Sequence, residues 1–302
     1  MIKVLLVEAS EVDARRARDM LAEAGEGDIQ VTHVGNLSAA LRLLSRESFD
    51  VILLYGELID THGLNVLDLL QAALARMPIV MLTDHKDARK ERQAIQRGIQ
   101  DVIVKQQWTA EQLVRAVRHS VDRKQAEQHL SYLAQYDPLT ALANRALFRD
   151  RLIHALAIAK RKKQQVGLVL LSLDQFPSLA ETLGPDGCDV VLKEAAERLK
   201  KCMREVDTVA RLEGDAFTCL LEGINCRADM DIVAKRVLDS MSQPFKTKGE
   251  QIMATASIGV AVYPLDGLQA DELMQRTQGA LNAVQEAGGG NYQFPVSGSG
   301  NA

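Results

Sequence analysis

Over the first 120 residues, short apolar runs alternate with amphipathic stretches. Ile2–Val7, Ile29–Val34, Val51–Tyr55, Ile79–Leu82 and Val102–Val104 are strand-length and rich in Val, Ile and Leu. Between them Val12–Ala24, Leu37–Arg46, Leu64–Arg76 and Ala88–Arg97 carry apolar residues at helical spacing. This alternation predicts an α/β domain over 1–120, a doubly wound parallel (βα)5 sheet. From Thr109 to Gln135 the chain is polar and free of Gly and Pro, with Leu113, Val114, Val117, Val121, Leu130 and Leu133 at helical spacing. Lys124 and Gln128 interrupt that seam. The stretch 109–135 is therefore predicted as a connecting helix, either a two-stranded coiled-coil stalk or a solvated connector, in preference to a buried helix.

Tyr136-Asp-Pro138 ends that helix and opens a second domain over 136–294. Its pattern gives helices at Arg145–Ala159, Val190–Arg204, Ile232–Met241 and Asp271–Ala287. Strands are read at Val166–Leu173, in a hairpin Val209–Leu221, and near Gln251–Tyr263. Helices interspersed with antiparallel pairs predict an α+β sheet. Residues 295–302 are rich in Gly and Ser and are expected to form a flexible tail.

Composition adds little and excludes some partners. A chain of 302 residues with 47% hydrophobic content holds two cores rather than one. Its net charge of -4 gives no general attraction to nucleic acid or to anionic membranes. Cys188, Cys202, Cys219 and Cys226 form no CxxC pair, so reduced thiols are expected rather than zinc or disulfides. The apolar start MIKVLLVEAS is too short to span a membrane and no cleavage site follows, which points to a cytoplasmic domain.

More specific signals lie at the strand ends. VLLVEAS closes the first strand, DVILLYGELIDTHG the third, PIVMLTDH the fourth and DVIVKQ the fifth. With these residues the segment 1–120 resembles a response-regulator receiver domain. The resemblance implies an acidic pair for magnesium, an Asp phosphoacceptor, a hydroxyl and a Lys around one crevice. Here Glu8 stands at the first acidic position and Ala9 at the second, Tyr55 replaces the acceptor, and Thr83 and Lys105 remain. A phenol with a pKa near 10 does not replace a carboxylate in an acyl phosphate. Glu57 and Asp60 lie off the acceptor position. Phosphotransfer is therefore not expected, and Thr83 and Lys105 read as packing and a surface charge. What remains for such a receiver is dimerisation or docking through its fourth and fifth helices.

The second domain opens with YDPLTALANRALFRDRL. Asp137, Leu139, Thr140, Leu142, Asn144, Arg145 and Phe148 fall in register with the opening motif of the GGDEF, or diguanylate cyclase, domain, which 136–294 resembles. That family joins two GTP molecules by phosphoryl transfer, each held by one domain of a dimer, and depends on metal-binding carboxylates and tight glycines. In this chain Ser172 stands at the first metal carboxylate and Asp174 at the second Asp of that motif. Pro177 replaces a Lys and Ala180 the guanine-reading Asn, while Asp189 matches the second guanine contact. On the hairpin, Glu213 replaces the first Gly, Gly214 and Asp215 stay, and Ala216 replaces the next acid. Gln285 and Gly289 replace the Lys and Arg that meet the triphosphate. Phe176 and Phe217 match family positions but read as core. Losing metal, base and phosphate contacts together is expected to abolish catalysis. No cofactor is then needed, magnesium mattering only if some activity remained.

One motif is complete. Arg204-Glu-Val-Asp207 precedes the hairpin turn with the spacing of the family's RxxD site, where cyclic di-GMP binds, and Arg236 falls at the position of a further arginine of that site. A guanidinium forks onto phosphate or a guanine edge, and a carboxylate accepts from guanine N–H groups. The alternative is a surface ion pair at a helix end. The leading expectation is a catalytically inactive signalling protein that binds cyclic di-GMP and relays it through a homodimer, formed by receiver and stalk helix, or through an unidentified protein partner. A nucleotide-independent interaction scaffold and an active cyclase with a divergent site are the two alternatives. EAGGGNYQF resembles the segment that joins GGDEF domains to EAL phosphodiesterase domains, but no hydrolase is expected from these residues.

Overall fold

The computed structural model describes residues 1–55, 76–105, 108–247 and 250–296. They fall into two compact units that divide between Leu130 and Ser131. Glu57, Asp60, most of the helix expected at 64–76 and the tail beyond Val296 lie outside the described residues.

In the first unit five strands, β1 (Ile2–Val7), β2 (Ile29–Val34), β3 (Val51–Tyr55), β4 (Ile79–Thr83) and β5 (Asp101–Val104), form a sheet of order β2-β1-β3-β4-β5. Every pairing is parallel, as predicted. The strands are apolar on both faces because both are covered. Val4, Leu6, Val51, Leu53, Val80 and Leu82 face one core, and Leu5, Val7, Ile52, Leu54, Ile79 and Met81 face the other. Helices α1 (Glu11–Ala24), α2 (Leu37–Leu44) and α3 (Ala88–Gln96) start where Ser10, Asn36 and Asp87 accept hydrogen bonds from the first-turn amides. This winding gathers the ends of β1, β3, β4 and β5 at one edge, where such sheets bind ligands.

The helix α4 (Ala110–Gln135) corrects one expectation. It is continuous, but its first half is not part of a stalk. Leu113, Val114, Val117 and Val121 are buried in the receiver core, whereas none of residues 122–135 is buried. The apolar seam is two features in succession. Core packing ends at Val121, and an exposed segment carrying Leu130 and Leu133 follows. Tyr132 stacks on Tyr136 at 4.9 Å, both within the second unit, where the helix ends.

The second unit has a sheet of order β12-β11-β6-β8-β7. Its strands are β6 (Gln165–Leu173), β7 (Thr208–Glu213), β8 (Ala216–Ile224), β11 (Ala256–Tyr263) and β12 (Tyr292–Gln293), and a small hairpin joins β9 (Phe245–Thr247) to β10 (Glu250–Ile252). All pairings in the sheet are antiparallel except β11 with β12. Helices α5 (Arg145–Lys162) and α8 (Ala270–Glu286) cover one face, where Phe148, Leu152 and Leu273 meet Leu168 and Leu220. On the other face α6 (Phe176–Cys202) and α7 (Arg227–Met241) pack Val191, Leu199, Val237 and Met241 against Val169, Leu171 and Phe217. Helix α6 begins fourteen residues before the predicted Val190. Pro177 sits in its first turn, where proline is tolerated, and the break at Gly184-Pro185 divides it into two segments.

Candidate functional site

Three polar clusters carry the residues singled out by the sequence. The first lies at the strand ends of the receiver unit. Glu8 and Lys105 are 1% and 5% exposed, and Lys105 Nζ lies 2.5 Å from Glu8 Oε2 and 2.9 Å from Asp13 Oδ2. The same ammonium stands 3.6 Å from the centroid of the Tyr55 ring. Tyr55 Oη donates to Asp84, and Thr83 Oγ1 donates to the His85 carbonyl at 3.1 Å. Ala9 is exposed and offers no side-chain ligand. Burial alone lowers the pKa of Lys105, but its bonds to Glu8 and Asp13 outweigh burial and hold it above the ordinary value. Lys105 is thus not the surface charge expected from the sequence. Asp13 and Asp84 were missed. Asp13 could have been found, because the Ser10 cap starts α1 there and turns its first-turn carboxylate back to the strand end.

The second cluster surrounds the β7–β8 turn. Ser172, at the end of β6, pairs with Ala216 on one side and Ser257 on the other. Its hydroxyl donates to Asp215 Oδ2 at 2.6 Å and accepts from Gln285 Nε2 at 3.3 Å. Asp174 accepts from Ser257 Oγ at 2.6 Å, Thr255 Oγ1 at 2.5 Å and the Gly290 amide at 2.8 Å. A Cβ at Gly289 would stand 2.8 Å from that carboxylate. The turn itself has Gly214 at φ 55 and Glu213 outside, 3.1 Å from the exposed Arg145. Arg211 holds the turn from beneath. Its Nε and Nη2 donate to the Gly214 carbonyl at 2.9 and 2.6 Å, and its Nη1 donates to Asp137 at 3.1 and 3.2 Å. Thr140 donates twice more to Asp137. Burial would raise the Asp137 pKa, but these bonds from Thr140 and Arg211 hold it below the usual value. Arg211 was not singled out from the sequence. Phe217 is wholly buried and Phe176 packs on the same core, as expected. Ala180 and the exposed Asp189 lie on α6 on either side of the Gly184 break, and Asp189 forms no ion pair among the described residues.

The third cluster is the turn from α6 to β7. The Asp207 carboxylate accepts from the Arg204 amide at 2.9 Å, and the Asp207 amide donates to the Arg204 carbonyl at 3.0 Å. These reciprocal bonds close the turn and leave the Arg204 side chain exposed, without the ion pair that a surface role would supply. A cavity of about 290 Å³ opens beside it, lined by Arg204 and Asp207. Arg236 reaches the same turn from α7, its Nη2 donating to the Cys202 carbonyl at 2.5 Å, but it does not line the cavity.

The description "Diguanylate cyclase, GGDEF domain" matches residues 134–291, more than half of the chain. The chain belongs to the GGDEF family. Residues 4–118 match the response regulator receiver domain, so this is a receiver–GGDEF signalling protein related to cyclic di-GMP metabolism. The chain is 33% identical over 181 residues to the cyclic di-GMP phosphodiesterase NbdA of Pseudomonas aeruginosa. It is 36% identical over 169 residues to the bifunctional diguanylate cyclase/cyclic di-GMP phosphodiesterase MucR of the same organism. These alignments take in 60% and 56% of this chain but 23% and 24% of those proteins, so the chain spans about a quarter of their length. The solved GGDEF domain of TpbB (YfiN), also from Pseudomonas aeruginosa, is 31% identical with a TM-score of 0.53, over 53% of this chain and 94% of that one. Among the described residues, no helix is long and apolar enough to cross a membrane.

Proposed function

We propose that this receiver–GGDEF protein binds cyclic di-GMP at the Arg204–Asp207 turn and does not synthesise it. The observation that carries the reading is the contrast between two neighbouring clusters. At the position where the family resemblance places a metal carboxylate, Ser172 donates its hydroxyl to Asp215, the acid retained on the turn. Asp174 is already engaged by two hydroxyls and an amide. Among the described residues no group of three His, Cys, Asp or Glu stands close enough to hold a metal ion. Magnesium requires several oxygens in octahedral array, and this donor set does not fit it. The Arg204–Asp207 turn is closed by one backbone bond and by the Asp207 carboxylate on the Arg204 amide, and it keeps an exposed guanidinium beside a cavity.

Cyclic di-GMP carries two phosphates and two guanine edges, which suit an Arg and a carboxylate held three residues apart. In this reading Arg204 and Asp207 meet the ligand, while Arg236 braces the end of α6 from α7. Occupancy is relayed through a homodimer or a protein partner, with the receiver and the exposed part of α4 as the contact surfaces. Calorimetry on the intact chain tests this. Micromolar binding of cyclic di-GMP, lost in Arg204→Ala, is expected, together with no cyclic di-GMP formed from GTP with magnesium or manganese. Product above blank would restore the cyclase reading. A second reading is a nucleotide-independent scaffold, and it draws on Lys105, which is already paired with Glu8 and Asp13 in the receiver. It gives no binding of cyclic di-GMP at tens of micromolar.

A further inference from the structure

The cavity beside the Arg204–Asp207 turn extends beyond the motif. At about 290 Å³ it lies at the low end of the roughly 300–1,000 Å³ of small-molecule sites. That is room for one base and its phosphate rather than a whole cyclic dinucleotide. Its apolar lining comes from Leu142, Met203 and Val209, and its cations are Arg151, Lys200 and Arg204. Arg151 belongs to α5, remote in sequence from the motif. Its Nη1 donates to Thr208 Oγ1 at 3.2 Å, and Thr208 is buried directly after Asp207. That bond uses one of five guanidinium donors and fixes the group beside the clamp. Neither Arg151 nor Arg204 has a carboxylate within ion-pair distance among the described residues, whereas Lys200 is paired with Glu197. The lining also carries the Glu205 and Asp207 carboxylates, but neither guanidinium is paired with one, so both keep donors for charge-assisted bonds to a phosphate between them.

We infer that Arg151 is a further ligand-binding residue, meeting a phosphate of cyclic di-GMP from α5 while Arg204 and Asp207 hold the nucleotide from the α6–β7 turn. The apolar lining receives the base, and Lys200 adds charge at the rim. This rests on the reading of the turn as a cyclic di-GMP site. Arg236 is then a positioning residue, since its guanidinium holds the Cys202 carbonyl and lies outside the cavity lining.

Calorimetric titration of the intact protein with cyclic di-GMP at two salt concentrations tests the assignment. Arg151→Gln is expected to weaken binding about tenfold or more, the effect of removing a hydrogen bond to a charged group, and to flatten the salt dependence. Arg151→Lys should fall between, since an ammonium keeps the charge without the fork. Arg149→Gln, on the same helix but paired with Asp271, removes an equal charge and should leave binding unchanged. Circular dichroism melts confirm that each variant is folded. Full-strength binding by Arg151→Gln alongside loss in Arg204→Ala overturns this inference and leaves the site reading intact. Absence of binding by the unsubstituted protein overturns both.

Discussion

The receiver pocket and the GGDEF turn satisfy their charges in different ways. In the receiver, one buried ammonium is shared by two carboxylates and lies against an aromatic ring, so each member depends on the others. At the turn, the two acids Asp174 and Asp215 accept from neutral hydroxyls and an amide, in contacts that are partly open to water. A buried ionic cluster cannot lose a member cheaply, because the remaining charge stays in a poor solvent. A carboxylate with neutral donors can lose one and take water instead. Only the first kind of pocket holds its domain together through its own charges.

Removing the cation should give the largest effect. Lys105→Met leaves Glu8 buried without its counter-charge, and a loss of about 3–5 kcal/mol of receiver stability is expected. Urea unfolding followed by circular dichroism measures it, and the double change Lys105→Met with Glu8→Gln should recover most of the loss. The pH dependence carries a sign as well. The Lys105 pKa is raised in the folded state, so its contribution is complete below the ordinary value of 10.5 and fades only as pH climbs through the higher folded value. A cluster that weakened between pH 6 and 9 would contradict the ion-cage account.

An intermediate effect is expected at Asp137, where the GGDEF turn borrows a charged anchor from the start of its domain. Asp137→Asn weakens the bonds from Arg211 and Thr140, and about 1.5–3 kcal/mol is expected for loss of charge-assisted bonding. Because the folded pKa of Asp137 lies below 3.8, its contribution is present above that value and disappears as pH falls through the lower folded one. Acid titration of the second unit should lose part of its slope below pH 3.8 in the variant. An unchanged slope would remove Arg211 as the link between turn and domain start.

These two clusters also mark what the sequence could reveal. The strands of both units were legible because β-period and apolar runs survive in Val4–Val7, Val51–Leu54 and Val166–Leu173. The front of α6 was not, since Pro177, Gly184 and Pro185 carry the signature of a loop. The seam of α4 was visible, but not that its first half belongs to the receiver core, because period alone does not name the surface that a stripe covers. Site positions such as Ser172, Asp215 and Tyr55 were legible one at a time. Gln285 was legible as well, though not its bond to Ser172. Asp84, which accepts from Tyr55, and Arg211, which ties the turn to Asp137, were not, because nothing local announces those pairings. Arg236 was found at its position, yet its bond to the Cys202 carbonyl could only be seen in three dimensions.

The smallest effect should come from Ser172, and it makes the comparison sharpest. Ser172→Ala removes one hydroxyl donor from Asp215, whose carboxylate stands at a turn that water can reach. Less than about 1 kcal/mol is expected, the net worth of a part-buried hydrogen bond whose acceptor can take water instead. Ser172→Asp reverses the sense of the contact, because a second carboxylate then faces the one that had accepted its proton donor, and like charges so close repel. The protein should be less stable in chelator, and added magnesium should return part of the loss in a thermal melt only if two acids there suffice to hold the ion. A melt that rises with magnesium in the unsubstituted protein would mean that Asp215 already binds metal with Ser172 in place. In that case the turn is not the neutralised pocket that its hydrogen bonds describe, and the contrast with the receiver cage fails on the GGDEF side.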